Sequence, residues 1–231
     1  FYWPFFKDCI SARDGTHIGC VIADAEGQQF RNRKVRKSWN ILCVISLDML
    51  FTYVNVRWEG SGHDLPVLKD SLSQRKFDFP HPELGKYYLV DCAYPNSIGY
   101  LAPYIGTNVR KHIPEFKNGR RCSHFPEGME ELFNYWHSSL CGVVELTFGV
   151  VKSTRKIVDD QMPQMSLNLQ IEIVIAVCTV HNFMQLHERG IPISPRPRST
   201  NPTPYVGLFD KESKKVMEIF RNQLAIEMSK S

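Results

Sequence analysis

The chain has 231 residues, of which 43% are hydrophobic and 23% charged, and a formal net charge of +4 at pH 7. That length and balance fit one large domain, or one domain with a small appendage, and exclude wholesale disorder. The charge is too small to argue by itself for a polyanionic partner. Seven cysteines, none in a C-x-x-C pair, sit mostly inside apolar runs. The pattern excludes a zinc finger and a disulfide framework and points to a reducing compartment. The longest apolar run, IVIAVCTV (173–180), is far shorter than the roughly 20 residues of a membrane span, and no signal peptide is visible. The chain opens on Phe1 rather than Met and reads as a fragment, a processed product or an excised domain.

In chain order, CISARD (9–14) reads as a strand, and Asp14-Gly15 follows it. The pair fits a turn; it equally fits a carboxylate set at a strand end to hold a metal. WNILCVISLD (39–48) and LFTYVNVRW (50–58) are rich in β-branched and aromatic residues and read as two more strands. HDLPVLKDSLSQ (63–74) has a helical pattern, with Pro66 tolerable in its first turn. GKYYLVD (85–91) reads as a fourth strand, ending on Asp91. Residues 93–127 are irregular and basic. From Met129 to about Val158 apolar residues recur at three- and four-residue spacing, among them Leu140, Val144, Phe148 and Val151, which predicts a helix. A second helix spans about Leu167 to Leu186. Five prolines make 190–207 a linker, and DKESKKVMEIFRNQLAIEM (210–228) is a short amphipathic helix. Strands first and helices later indicate a mixed α/β sheet flanked by helices.

Asp14 and Asp91 at two strand ends and Glu145 within CGVVELTFGVVK form a candidate set of three carboxylates. A glutamate in that apolar stretch is costly to bury unless it is paired or bound to a metal. Oxygen ligands of this kind suit Mg²⁺ or Mn²⁺, and a pair of such ions can stabilise the attacking and leaving oxygens of a phosphoryl transfer. Read singly, each residue has an ordinary alternative. Asp14 suits a turn, Asp91 a strand terminus and Glu145 a solvated helix face.

DCISARDGTHI, RNRK with WN, WEGSGHD, GKYYLVDCAYPN, LAPY, ELFNYWHSSL, VELTFGVVK and HNFM occur in one order across residues 1–187. In this the chain resembles the Harbinger-type (PIF/Harbinger) DDE transposases, and in particular plant host proteins derived from them. The resemblance implies an RNase H-like core at 1–189, to which composition and periodicity add a linker at 190–208 and a C-terminal helix at 209–231. It implies that Asp14, Asp91 and Glu145 are the catalytic, metal-holding carboxylates, with Asp64 supporting or joining the site and His63 beside it. It implies a divalent cofactor, Mg²⁺ or Mn²⁺, and a DNA substrate cut by hydrolysis and strand transfer. A nuclear location, a Myb-like DNA-binding partner and self-association belong to the same expectation, and a membrane does not.

The sequence departs from the family pattern at basic or small positions. Leu146, Cys141 and Trp136 stand where arginines are usual, Arg57 replaces a glycine, Leu65-Pro66 replace Ser-Arg, and Val35 replaces a glycine. Arginine grips phosphate with two parallel hydrogen bonds, which apolar side chains cannot replace. The losses point to weakened DNA engagement with the carboxylates kept. They also leave room for a rival reading, a catalytically inactive nuclear protein acting through protein contacts. Two basic runs, RNRKVRK (31–37) and VRKHIPEFKNGRRCSH (109–124), supply candidate phosphate contacts at Arg31, Arg33, Lys34, Arg110 and Lys111, with Lys152 beside the glutamate. Each run also reads as an ordinary solvated loop.

Overall fold

The computed structural model describes residues 4–23, 27–32, 35–62, 64–73, 79–118, 125–190 and 210–230. It contains strands β1 (Cys9–Cys20), β2 (Ser38–Ser46), β3 (Phe51–Glu59), β4 (Tyr87–Val90), β5 (Tyr100–Leu101) and β6 (Gln161–Met162). Its helices are α1 (Asp64–Ser73), α2 (Ile113–Asn118), α3 (Gly128–Thr154), α4 (Lys156–Asp159), α5 (Leu167–Glu188) and α6 (Lys211–Ser229). The architecture is mixed α/β. β2 and β3 pair antiparallel, whereas β6 on β1 and β5 on β4 are parallel. The hydrogen-bonded strand path is β3-β2-β1-β4-β5, with β6 also on β1. The chain divides into two compact units, one of residues 1–12, 81–143 and 199–231, the other of residues 13–80 and 144–198.

In the second unit, every residue of β2 is buried, so its apolar run has no solvent face. β1 does not stop at Asp14. It runs on to Cys20, whose backbone N–H donates to Lys37 O at 3.1 Å, and β6 adds in register at Gly19 and Cys20. Gly19 is required there, because a Cβ would collide with the Asp160 carbonyl. The β2–β3 register slips between Val44 and Ile45, leaving Thr52 as an extra residue. Such a bulge reverses which face the following side chains take. Phe51 accordingly meets Phe148 and His181, while Tyr53 packs edge-on against Phe79 and Asn55 donates to Ser71 of α1 at 2.8 Å.

α5 is long and apolar enough by length and composition to cross a membrane. Here it packs on β3. Asn182 clamps both backbone groups of Phe51 at 2.8 Å, Gln170 Oε1 accepts from Trp39 Nε1 at 2.8 Å, and His181 Nε2 meets Met49 O at 2.8 Å. The Asn182 clamp satisfies an edge that would otherwise offer unpaired backbone.

In the first unit, the stretch expected to be irregular is pinned by buried polar contacts. Asn134 of α3 donates to Tyr104 O and Arg110 O and accepts from Tyr104 N at 2.8 Å. α6 packs on β5, with Arg221 donating to the carbonyls of Ala102 and Pro103 and stacking over Tyr104. The C-terminal helix, expected as its own segment, is part of this unit; the linker before it lies outside the described residues. Glu131 takes two hydrogen bonds from the Arg110 guanidinium, at 2.8 and 3.1 Å, and one from the Arg110 backbone at 3.1 Å. Burial pushes the Glu131 carboxyl up, but the bonds from Arg110 and from the Glu127 N–H outweigh it and hold it below its ordinary value.

Because that carboxyl is lowered in the folded state, its stabilisation is present above the ordinary value near 4.5 and is lost as pH falls through the lower folded value. Glu131→Gln is expected to cost about 3–5 kcal/mol at pH 7, since it leaves a buried guanidinium without its charge partner. The double change Arg110→Met with Glu131→Met should cost clearly less than the single one. Urea denaturation of the three proteins checks both statements.

Candidate active site

Asp14 sits in the middle of β1, not at its end, and makes no turn. The reason is pairing: the extended backbone continues through Gly15 because both neighbours of β1 offer partners beyond it. Strand alternation sends Arg13 into the core, 1% exposed, and leaves Asp14 half-buried on the other face. Asp14 Oδ1 accepts from Gly15 N at 2.7 Å, which fixes the carboxylate's orientation. The buried Cys43 thiol on β2 is raised first by burial, then by Cys178 and by the Asp14 charge, which marks Asp14 as its neighbour across the sheet.

Glu145 lies on α3 and is exposed, so no burial cost attaches to it. Its position follows from two contacts further along the helix. Lys152 Nζ donates to His17 O at 3.1 Å and to Thr16 Oγ1 at 3.5 Å. Phe148, one turn earlier, packs edge-on against Phe51, which pairs with Ile45 on β2. β1 and β2 run antiparallel, as the Cys20–Lys37 and His17–Ser38 contacts show, so Ile45 lies level with earlier β1 residues. α3 therefore runs in the same direction as β1. Glu145 and Asp14 therefore lie on a helix and a strand of the same unit, tied together by Lys152 two helical turns past Glu145. A half-buried and an exposed carboxylate are both hard oxygen donors, the type that divalent cations take.

Asp91 lies in the first unit, just past β4, and is half-buried. Its Oδ1 is 3.9 Å from His112 Nε2. The ligand atoms of Asp91, Cys92 and His112 all lie within 4.8 Å of one another. Neither Cys92 nor His112 stands out in the sequence, because 20 residues separate His112 from Cys92 and no spacing rule joins them. The Cys92 thiol is raised by burial first and by Asp91 second, while Lys111 pulls it down.

Asp64 opens α1; its side chain, His63, Arg33 and Lys34 lie outside the described residues. Arg31 is exposed and bridges to Lys37, and Lys111 is half-buried. Lys152 is bound to the β1 backbone, and its ammonium is lowered by burial, against a smaller opposing pull from Asp159. Arg110 does not face phosphate. It is 8% exposed and committed to Glu131, which corrects its reading as a DNA contact. Behind Asp91, His137 is buried with Nε2 at 2.9 Å from Leu101 O. Burial, partly offset by that carbonyl, lowers its imidazole to about 4, so it is neutral.

The family model described as DDE superfamily endonuclease matches residues 13–182. The chain belongs to the DDE superfamily of endonucleases. It is similar to the proteins named "Putative nuclease HARBI1", with 27% identity over 189 residues to that of Bos taurus, covering 80% of this chain and 48% of the relative. The Homo sapiens protein is 27% identical over 190 residues, covering 81% and 47%, and the Mus musculus protein 24% identical over 190 residues, covering 81% and 49%. The chain spans about half the length of these curated relatives. No solved structure matches it.

His137 predicts an acid limb. Its folded value, about 4, lies below the ordinary 6.5, so the unfolded chain takes the proton first as pH falls. Stability should drop between pH 6.5 and 4, by about 3 kcal/mol at the lower end. His137→Gln should flatten that window relative to wild type, as measured by urea midpoints at pH 7, 5.5 and 4.5.

Proposed function

We propose that the chain is a transposase-derived DDE endonuclease domain with an RNase H-like core, of the Harbinger type, acting on DNA phosphodiesters. The observation that carries the reading is the match of a DDE endonuclease model over residues 13–182, a span that holds Asp14, Asp91 and Glu145. Asp14, Asp91 and Glu145 are the catalytic carboxylates, with Asp64 at the start of α1 in support. They would hold Mg²⁺ or Mn²⁺, which when bound neutralises charge developing on a phosphate and on its attacking water. Gly15 N–H orients Asp14, and the Lys152 tether holds α3 against β1, with Glu145 exposed to solvent. No side chain is required as a covalent nucleophile. Arg31, Arg33, Lys34, His63 and Lys111 are the phosphate contacts in this reading. DNA is the substrate, the nucleus the location, and a Myb-like protein and a second copy the partners.

A second reading is favoured by one observation. Leu146, beside Glu145, is 65% exposed, and α5 exposes Ile175, Val180 and Phe183. Apolar side chains beside the carboxylate weaken a grip on phosphate and suit protein contacts, as in a domesticated, inactive nuclear protein acting in chromatin or transcription.

Calorimetry with Mn²⁺ and plasmid nicking in the same buffers test the two readings. Under the first, wild type binds and nicks, while Asp14→Asn and Glu145→Gln each lower nicking by at least 100-fold, about 2.7 kcal/mol. Binding without nicking in wild type would favour the second reading. Absence of Mn²⁺ binding would overturn the metal site.

A further inference from the structure

Three donors of different kinds meet at the end of β4. Asp91 offers a carboxylate, Cys92 a thiol and His112 an imidazole, all within 4.8 Å of one another. We propose that Asp91, Cys92 and His112 form a binding site for a borderline-to-soft divalent ion of the zinc class, distinct in preference from a Mg²⁺ site.

The donor set carries this first. Mg²⁺ seeks oxygen ligands alone, whereas zinc-class ions take thiolate sulfur and imidazole nitrogen together with carboxylate oxygen. Geometry carries it second. Metal–ligand bonds of about 2.0–2.3 Å in a tetrahedron set donors roughly 3.3–3.8 Å apart. Asp91 Oδ1 and His112 Nε2 already stand 3.9 Å apart, so closure onto an ion needs only a small side-chain movement. Three protein ligands would leave the fourth position to water, as in open zinc sites.

Rigidity carries it third. The Tyr94 N–H donates to Asp91 O at 3.0 Å and closes the turn that holds Asp91 and Cys92. On the other side, His112 is bracketed by two anchors. Arg110 is held by Glu131, and its carbonyl accepts from Asn134 at 2.9 Å; the Ile113 N–H donates to Ser138 Oγ at 3.1 Å. The backbones bearing the donors are therefore fixed before any ion arrives, which lowers the cost of binding. The Asp91 and His112 side chains are 38% and 47% exposed, so an ion can reach them from solvent. On binding, the Cys92 thiol proton leaves to solvent as the sulfur–metal bond forms.

One consequence rests on the endonuclease reading. Asp91 would serve both ions, so a zinc-class ion would occupy a carboxylate that Mg²⁺ or Mn²⁺ needs and would inhibit nicking.

Co²⁺ titration of the full chain, followed by its thiolate-to-cobalt absorption band, tests the site. Wild type is expected to show the band, and Zn²⁺ to displace it. Cys92→Ser should abolish the band, and His112→Ala, at a half-exposed position, should weaken Co²⁺ binding by at least about tenfold. Asp14→Asn should leave the band unchanged while removing nicking, which separates this site from the fate of the endonuclease reading. A band that survives Cys92→Ser, an affinity unaffected by His112→Ala, or no band in wild type would each overturn the proposal.

Discussion

Continuous pairing through Asp14-Gly15 is the constraint on which the candidate site depends. Had the chain turned there, β1 would end where Asp14 begins, and Lys37 and Met162 would lose the partners they find at Cys20 and Val21. With the strand extended, Asp14 is locked into the sheet's alternation opposite to Arg13. The same extension supplies Thr16 and His17, the two groups that receive the Lys152 ammonium. The place of Asp14 in the strand and the anchoring of α3 through Lys152 thus follow from one run of backbone hydrogen bonds.

The second device is the use of buried polar side chains to hold segments that lack regular structure. Residues 91–112 contain only the two-residue β5. Backbone groups there must still find partners when water is excluded. Asn134, Glu131 and His137 of α3 meet the groups of Leu101, Tyr104 and Arg110, and Arg221 of α6 meets Ala102 and Pro103. α3 therefore does two jobs along its 27 residues. Its first half is a polar clamp on this segment, and its second half presents Glu145 and Lys152. Gln170, Asn182 and His181 do the corresponding work for α5, which explains how a helix of such apolar composition lies on β3.

Much of the fold was legible in residue pattern. β2, β3, α1, α5 and α6 lie within two or three residues of the spans that alternation and helical spacing predict. Pattern failed where a local signal had two physical meanings. Asp-Gly is a turn pair and is also tolerated in a strand, and only the partners on either side of β1 chose between them. Apolar neighbours made Glu145 look buried, but on a helix adjacent residues face different directions, so Leu146 and Glu145 both reach solvent. Arg110 in a basic run looked solvent-facing, and its carboxylate partner lies 21 residues away on α3.

The sequence by itself determined that this is a mixed α/β chain of the DDE endonuclease kind, because that identity resides in short ordered motifs and in local periodicity. It also named Asp14, Asp91 and Glu145 as the carboxylates of interest. Only the tertiary structure decided that Lys152 of α3 is tied to the β1 backbone, that Arg110 is internal, and that His112 reaches Asp91 and Cys92. These facts depend on contacts between residues 20 to 136 positions apart, which hydrogen bonding and burial select only when the chain has folded.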